Sequence, residues 1–132
     1  MVFSYKSDLV LKVNIVIIIV LFVTSQVSGN QNSSIAMTQI FACSFEVFGQ
    51  VQGVFFRKYT EKQANELGVR GWCMNTPNGT VRGELEAPLA PLNEMKDWLQ
   101  NKGSPHSKIN NAVFSPTKEI ENYSFNKFTI IR

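Results

Sequence analysis

Residues 39–132 are predicted to form one α+β domain. Strand-like alternation and helix-like periodicity follow one another in the order strand, helix, strand, strand, helix, strand. Glycines or prolines mark the ends of both predicted helices. This order is that of a ferredoxin-like βαββαβ sandwich, in which an antiparallel sheet carries two helices on one face. A short extra strand is predicted at the C-terminus.

The first strand is predicted for residues 40–48, where apolar residues occupy every second position. The side chains that share this apolar face are Phe41, Cys43, Phe45 and Val47. Residues 49–53 are predicted to form a loop. From Phe56 onward the apolar residues recur at helical spacing, and Gly68 is the expected end of that helix.

Residues 69–74 and 80–87 are predicted to form the second and third strands. The turn between them contains Asn78-Gly79, the dipeptide most typical of tight hairpins. Pro88 and Pro91 frame the start of the second helix, which is expected to end at Gly103. Residues 110–115 and 125–131 are two further strand candidates.

The composition excludes several classes of protein. The chain has 132 residues, of which 44% are hydrophobic and 17% charged, so it is not disordered as a whole. The net charge is only +3, and no basic run exceeds Arg57-Lys58, which disfavours nucleic acid as a partner. One histidine and no Cys-x-x-Cys motif leave little to bind zinc.

The two cysteines, Cys43 and Cys73, are predicted to be free, buried thiols. In the predicted topology another strand lies between their two strands. The Cα atoms would then be farther apart than the roughly 7 Å that a disulfide tolerates.

Residues 1–29 are predicted to be a signal peptide or a signal anchor. Residues 13–23 are apolar except for Asn14, with Lys6 and Lys12 before them and small residues after them. Translation starting at Met37 remains a third possibility. The protein is accordingly expected in the secretory pathway or, with a start at Met37, in the cytoplasm; it would contact a membrane only if this segment is retained.

Residues 30–38 are small and polar and are predicted to be a linker. Three Asn-x-Ser/Thr triplets, at Asn32, Asn78 and Asn122, would become possible glycosylation sites in the secretory pathway.

The segment from Phe48 to Arg57 is the first candidate site. Gly49 and Gly53 allow main-chain N–H groups to turn inward as a concave nest, and the following helix contributes its positive N-terminus. Arg57 adds a guanidinium suited to phosphate oxygens. The alternative interpretation is a tight turn in which Arg57 pairs with Glu61.

Asn75 is the second candidate. It ends a strand that runs parallel to the first one, so it would lie at the same end of the sandwich as the loop. The alternative is that Asn75 forms the turn by bonding to its own backbone.

These two segments together resemble the acylphosphatase family, and the resemblance runs from about Phe41 to Arg132. The signature Gly-x-Val-Gln-Gly-Val-x-Phe-Arg is matched by Gly49, Val51, Gln52, Gly53, Val54, Phe56 and Arg57. The second signature is matched by Gly71, Trp72, Asn75, Gly79 and Val81, and a later Gly-Ser-Pro by Gly103, Ser104 and Pro105.

The resemblance implies hydrolysis of acyl phosphates to carboxylate and inorganic phosphate, without a metal, cofactor or covalent intermediate. It implies that Arg57 binds the phosphoryl group and that Asn75 orients the attacking water. The phosphoryl oxygens would be held by main-chain N–H groups of Gln50, Val51, Gln52, Gly53, Val54 and Phe55. The expected partner is a small acyl phosphate, and the expected state is a monomer.

The residue after Gly49 departs from the family pattern. The position after Gly49 is often basic in the family, whereas this chain has Gln50. The second hypothesis is therefore a catalytically weak, anion-binding regulatory module with the same fold. A single-stranded RNA binder is disfavoured because the third predicted strand is acidic and lacks aromatic residues.

Two further expectations about side-chain placement follow from the pattern. Arg82, Glu84 and Glu86 share one strand face and are expected to form a solvated charge ladder. Trp72 and Trp98 are both expected in the core.

Overall fold

The computed structural model describes residues 37–132. The predicted signal segment, and the predicted linker up to residue 36, lie outside the described residues. Within the described part, no helix is both long and apolar enough to cross a membrane.

Six strands and two helices make up the described domain. The strands are β1 (Ile40–Gln50), β2 (Arg70–Asn75), β3 (Val81–Ala87), β4 (Lys108–Phe114), β5 (Lys118–Ile120) and β6 (Phe128–Ile130). The helices are α1 (Phe56–Leu67) and α2 (Leu89–Asp97), and α2 continues into the π-helical turn Trp98–Lys102.

The sheet has the order β4-β1-β3-β2-β6. β5 pairs with residues 40–42 of β1, whereas β4 pairs with residues 45–50 of the same strand. β3 lies between β1 and β2 and is antiparallel to both, while β4 is antiparallel to β1. The two helices contact each other and the same sheet. The predicted ferredoxin-like α+β sandwich is confirmed.

The C-terminal part differs from the predicted antiparallel arrangement. β6 pairs parallel with β2, so the sheet is mixed. The chain leaves β5, crosses the sheet and reverses direction, which gives β6 the same direction as β1 and β2. The predicted strand at residues 125–131 is reduced to Phe128–Ile130, and β5 was not predicted.

The core lies between the helices and one face of the sheet. Phe56, Thr60 and Ala64 are the buried residues of α1, and their spacing of four gives one stripe along the helix. The ring of Phe56 packs on Trp98 with 5.7 Å between ring centroids. Trp98 is therefore in the core as predicted.

The prediction of a core position for Trp72 is wrong. The side chain lies on the other face of β2 from the buried Cys73 and is only half-buried. Its Nε1 donates a hydrogen bond to Oε2 of Glu84 at 3.2 Å. Alternation along a strand places Trp72 opposite the core, although its size suggested burial.

The predicted charge ladder is also wrong at one position. Arg82 and Glu84 are exposed, but Glu86 is only 4% exposed. Its Oε2 accepts hydrogen bonds from the main-chain N–H groups of Ser124 at 2.8 Å and Phe125 at 3.4 Å. The chain between β5 and β6 covers this end of the sheet and buries the carboxylate.

Cys43 and Cys73 are free and buried, as predicted. β3 separates them, since Cys43 lies opposite Leu85 and Cys73 lies opposite Gly83. Burial raises the pKa of the Cys73 thiol to about 12, although Arg57 acts in the opposite direction. Burial likewise raises the pKa of Cys43 above its usual value. Neither thiol is poised for reaction.

Candidate active site

The loop between β1 and α1 begins at a bulge in the pairing of β1 with β4. Gly49 follows the bulge with φ +132°, a conformation that L side chains rarely adopt. A Cβ atom at this position would lie 2.1 Å from the carbonyl oxygen of Lys108. The loop can therefore leave the sheet at this angle only with glycine.

Helix α1 begins directly after this loop. Phe55 is its N-cap in a left-handed conformation (φ 58°, ψ 23°), and no side chain caps the helix. No acidic residue lies in the first turn, which instead contains Arg57 and Lys58. A helix N-terminus ordinarily attracts negative side chains. Cationic residues at this end make it suited to an external anion.

A cavity of about 470 Å³ opens between the loop, α1 and the ends of β2 and β6. Its lining residues are Val51, Gly53, Phe55, Phe56, Arg57, Lys58, Asn75, Ile130 and Arg132. The structure thus brings together five of the predicted site residues, namely Val51, Gly53, Phe55, Arg57 and Asn75.

The cavity is electropositive. Arg57, Lys58 and Arg132 contribute three cationic side chains to its lining. Among the described residues, none of those lining the cavity carries a carboxylate side chain. A partly enclosed, cationic cleft concentrates small anions by focusing the electric field.

Three predicted site residues lie next to the cavity rather than in its lining. Gln50 is exposed at the end of β1, opposite Lys108 of β4. Val54 is half-buried and packs against the core. Gln52 points toward the β2–β3 turn, where its Nε2 donates to the carbonyl oxygens of Thr76 and Thr80, both at 2.9 Å. The role predicted for all three is a main-chain one.

Asn75 has an unpaired buried oxygen. It ends β2 opposite Val81 and is one of the residues that line the cavity. Its Oδ1 is buried and accepts no hydrogen bond from the described residues. An acceptor left in this state costs about 1–3 kcal/mol, so it requires an explanation such as a bound water or ligand.

Sequence reasoning missed several residues that shape the site. Ser104 is buried, and its Oγ donates to the carbonyl oxygen of Val54 at 2.9 Å, which supports the loop from the side of α2. The Gly-Ser-Pro motif drew attention to this residue but gave it no role. Ile130 and Arg132 line the cavity because β6 is parallel to β2, and no local pattern indicates that pairing.

Residues 37–132 contain no group of three or more His, Cys, Asp or Glu side chains placed to hold a metal ion. The lining residues provide hydrogen-bond donors, positive charge and one amide oxygen.

The fold and the cavity define a ferredoxin-like α+β domain with a cationic cavity beside the loop between its first strand and first helix. The sequence matches the family model for acylphosphatase over residues 43–130. The chain belongs to the acylphosphatase family.

Curated relatives are similar along nearly their whole length. Acylphosphatase-1 of Mus musculus is 43% identical over 93 residues, which are 70% of this chain and 94% of the relative. Acylphosphatase-1 of Xenopus tropicalis is 49% identical over 88 residues, which are 67% of this chain and 90% of the relative.

Solved structures show the same fold. An acylphosphatase from Coxiella burnetii superposes with a TM-score of 0.63 at 28% identity, covering 70% of this chain and 94% of that chain. An acylphosphatase from Bacillus subtilis superposes with a TM-score of 0.61 at 28% identity, covering 70% of this chain and 99% of that one.

Proposed function

We propose that this protein hydrolyses small acyl phosphates to a carboxylate and inorganic phosphate. The observation that carries the proposal is that Asn75, whose buried Oδ1 has no partner among the described residues, lines the same cationic cavity as Arg57 and the β1–α1 loop. A phosphoryl group in the loop and a water bound to Asn75 would together satisfy this arrangement.

The loop and Arg57 bind the phosphoryl group. Main-chain N–H groups of residues 50–55 and the first turn of α1 donate to its oxygens, and the guanidinium of Arg57 lies across them. Phosphoryl transfer proceeds through a loose transition state, so its catalysis consists mainly of positioning and charge stabilisation. Groups fixed before the substrate arrives are suited to that task.

Asn75 orients the attacking water. The side-chain amide of Asn75 holds the water by a hydrogen bond, and the water oxygen attacks phosphorus. The bond between phosphorus and the bridging oxygen breaks, and the carboxylate departs with the electron pair. Because a carboxylate has a pKa near 4, it needs no proton from a general acid.

The proton of the water goes to a phosphoryl oxygen of the substrate. An amide is too weak a base to remove it. Among the described residues, none of those lining the cavity is a histidine or an acidic residue. The substrate itself is therefore the base that the site offers.

The first test is turnover of benzoyl phosphate in the presence of a chelator. Residues 38–132 form one compact unit, and the mouse relative consists almost wholly of the matched region, so a fragment of residues 37–132 is expected to fold alone. Arg57→Ala should lower kcat/KM by roughly 10³-fold. Asn75→Ala should lower kcat by roughly 10²-fold.

The matched controls are Arg82→Ala and Asn93→Ala, which remove an exposed arginine and an exposed asparagine away from the cavity. Both should retain wild-type activity. A folded fragment that binds inorganic phosphate without turnover would contradict the proposal and favour the catalytically weak anion-binding module. Loss of activity with the chelator would contradict the metal-free mechanism.

A further inference from the structure

We propose that Phe55 selects the acyl group of the substrate and that the preferred substrates are acyl phosphates with an aromatic or extended apolar acyl group. This inference rests on the proposed function and assigns the part of the substrate that the phosphate-binding loop does not hold.

Phe55 is unusual in two respects. Its side chain is 70% exposed, the highest exposure of a phenylalanine in the described part of the chain. It is also the only non-glycine residue there with a positive φ. A bulky residue in the left-handed region is strained, whereas glycine adopts it freely. Neither burial nor backbone conformation therefore explains a phenylalanine at this position.

Contact with a ligand would explain it. Phe55 lines the cavity that contains Arg57 and Asn75, and it also lines a second cavity of about 500 Å³ along the outer side of α1. Lys58 is the only other residue common to both linings among the described residues. The ring therefore stands where the two cavities adjoin.

The geometry of an acyl phosphate matches this arrangement. The carbonyl carbon is separated from phosphorus by a single bridging oxygen. With the phosphoryl group in the loop, an acyl group that points toward Phe55 reaches the rim of the first cavity. The second cavity begins at that rim.

The second cavity presents apolar surface to such a group. Tyr59 lines it one residue beyond Lys58 and is 39% exposed, so two aromatic rings contribute to the same surface. Its remaining lining residues are Lys58, Glu61, Lys62 and Asn65, and Glu61 offsets part of the lysine charge. Exposed aromatic rings gain most by covering an apolar or aromatic group.

The test compares benzoyl phosphate with acetyl phosphate, which share the phosphoryl group and differ in the acyl group. Phe55→Ala should lower the ratio of kcat/KM for benzoyl phosphate to kcat/KM for acetyl phosphate by about tenfold, as expected for loss of aromatic packing. Phe55→Tyr should keep the wild-type ratio because tyrosine retains the aromatic ring. Phe48→Ala removes an exposed phenylalanine of β1 that lines neither cavity, and should leave the ratio unchanged.

Both substrates carry the same phosphoryl group, so an effect of Phe55→Ala on the phosphate-binding loop acts on both kcat/KM values and cancels in their ratio. A ratio that does not change in Phe55→Ala would overturn the inference. A preference for succinyl phosphate over benzoyl phosphate would also overturn it, because the lysines of the second cavity would then bind a negatively charged acyl group.

Binding of benzoylphosphonate and acetylphosphonate, which cannot be hydrolysed in the same way, separates this inference from the proposed function. A tighter benzoyl complex that depends on Phe55, in a protein without turnover, would support the inference and refute the enzyme. Equal binding of the two analogues, or binding of neither, would overturn the inference.

Discussion

Removal of the Glu86 carboxylate should weaken both the fold and the active site. The Oε2 atom accepts the N–H groups of Ser124 at 2.8 Å and Phe125 at 3.4 Å. Arg70 holds the same segment from β2, because its Nη1 donates to the carbonyl oxygen of Phe125 at 3.3 Å and its guanidinium lies 3.7 Å from the ring centre of Tyr123. This segment leads into β6, which carries Ile130 to the cavity.

The magnitude follows from the two hydrogen bonds. A bond to a charged acceptor contributes about 1.5–3 kcal/mol, and the 3.4 Å bond contributes less than the 2.8 Å bond. Glu86→Ala should therefore lower the free energy of unfolding by about 2–4 kcal/mol. For a domain of this size, that corresponds to a decrease in Tm of roughly 10–20 °C. Glu86→Gln keeps an acceptor without the charge and should cost about 1 kcal/mol.

Urea unfolding of the 37–132 fragment at pH 7 measures this effect, and kcat/KM for benzoyl phosphate measures its consequence at the site. Glu84→Ala is the matched control, because Glu84 is the exposed carboxylate two residues earlier on β3. It should cost less than about 1 kcal/mol. If Glu86→Ala were no more destabilising than Glu84→Ala, the segment would not depend on the buried carboxylate and the argument would fail.

Two further outcomes concern stability. Gly49→Ala should cost about 3–5 kcal/mol, because its Cβ would meet the Lys108 carbonyl oxygen at 2.1 Å and its φ is strained. Gly79→Ala, with φ +85° and open space around the added atom, should cost only about 1–2 kcal/mol in urea unfolding. The raised pKa of Cys73, about 12, means that the folded state holds this proton more tightly than the unfolded state. Its stabilising effect is complete below pH 9 and should be lost from pH 9 to 12, by about 1.4 kcal/mol per pH unit. Cys73→Ala should show a shallower decline over that range; equal slopes would contradict the assignment.

The sequence predicts the elements whose signals are local. Gly68 ends α1 in the left-handed conformation that favours glycine, and the Asn78-Gly79 pair forms the turn between β2 and β3. Both strands around that turn alternate over six or seven residues, which is long enough to show which face is buried. The four main strands and both helices follow from such patterns.

The missed features depend on long-range packing. β5 and β6 have three residues each, too few for alternation to be recognised. Alternation along β3 places Glu86 on the same face as Arg82 and Glu84. It does not indicate that the distant segment at Ser124 covers Glu86 alone. Arg57 and Asn75 could be brought together from sequence because the strand order fixes their end of the sheet. Ile130 could not, because its place depends on the parallel pairing of β6.

Side-chain hydrogen bonds anchor the β1–α1 loop to two other segments of the domain. Gln52 ties the loop to the turn that follows Asn75, while Ser104 ties it to the segment after α2. The loop is therefore restrained from two sides, by the β2–β3 turn and by the segment after α2. Preorganised donors of this kind stabilise developing charge without a reorganisation cost.

This organisation bears on the departure at Gln50. The side chain of Gln50 is exposed and lies outside the cavity lining. A neutral residue at this position in place of a basic one therefore leaves the main-chain donors in place. Lys108 stands directly opposite Gln50 on β4, and side chains of such a pair lie about 5 Å apart at their Cβ atoms. A cation is therefore present beside the loop, supplied by the neighbouring strand instead of the loop itself. Arg57, Lys58 and Arg132 line the cavity itself, so the cavity is cationic without a charge at position 50.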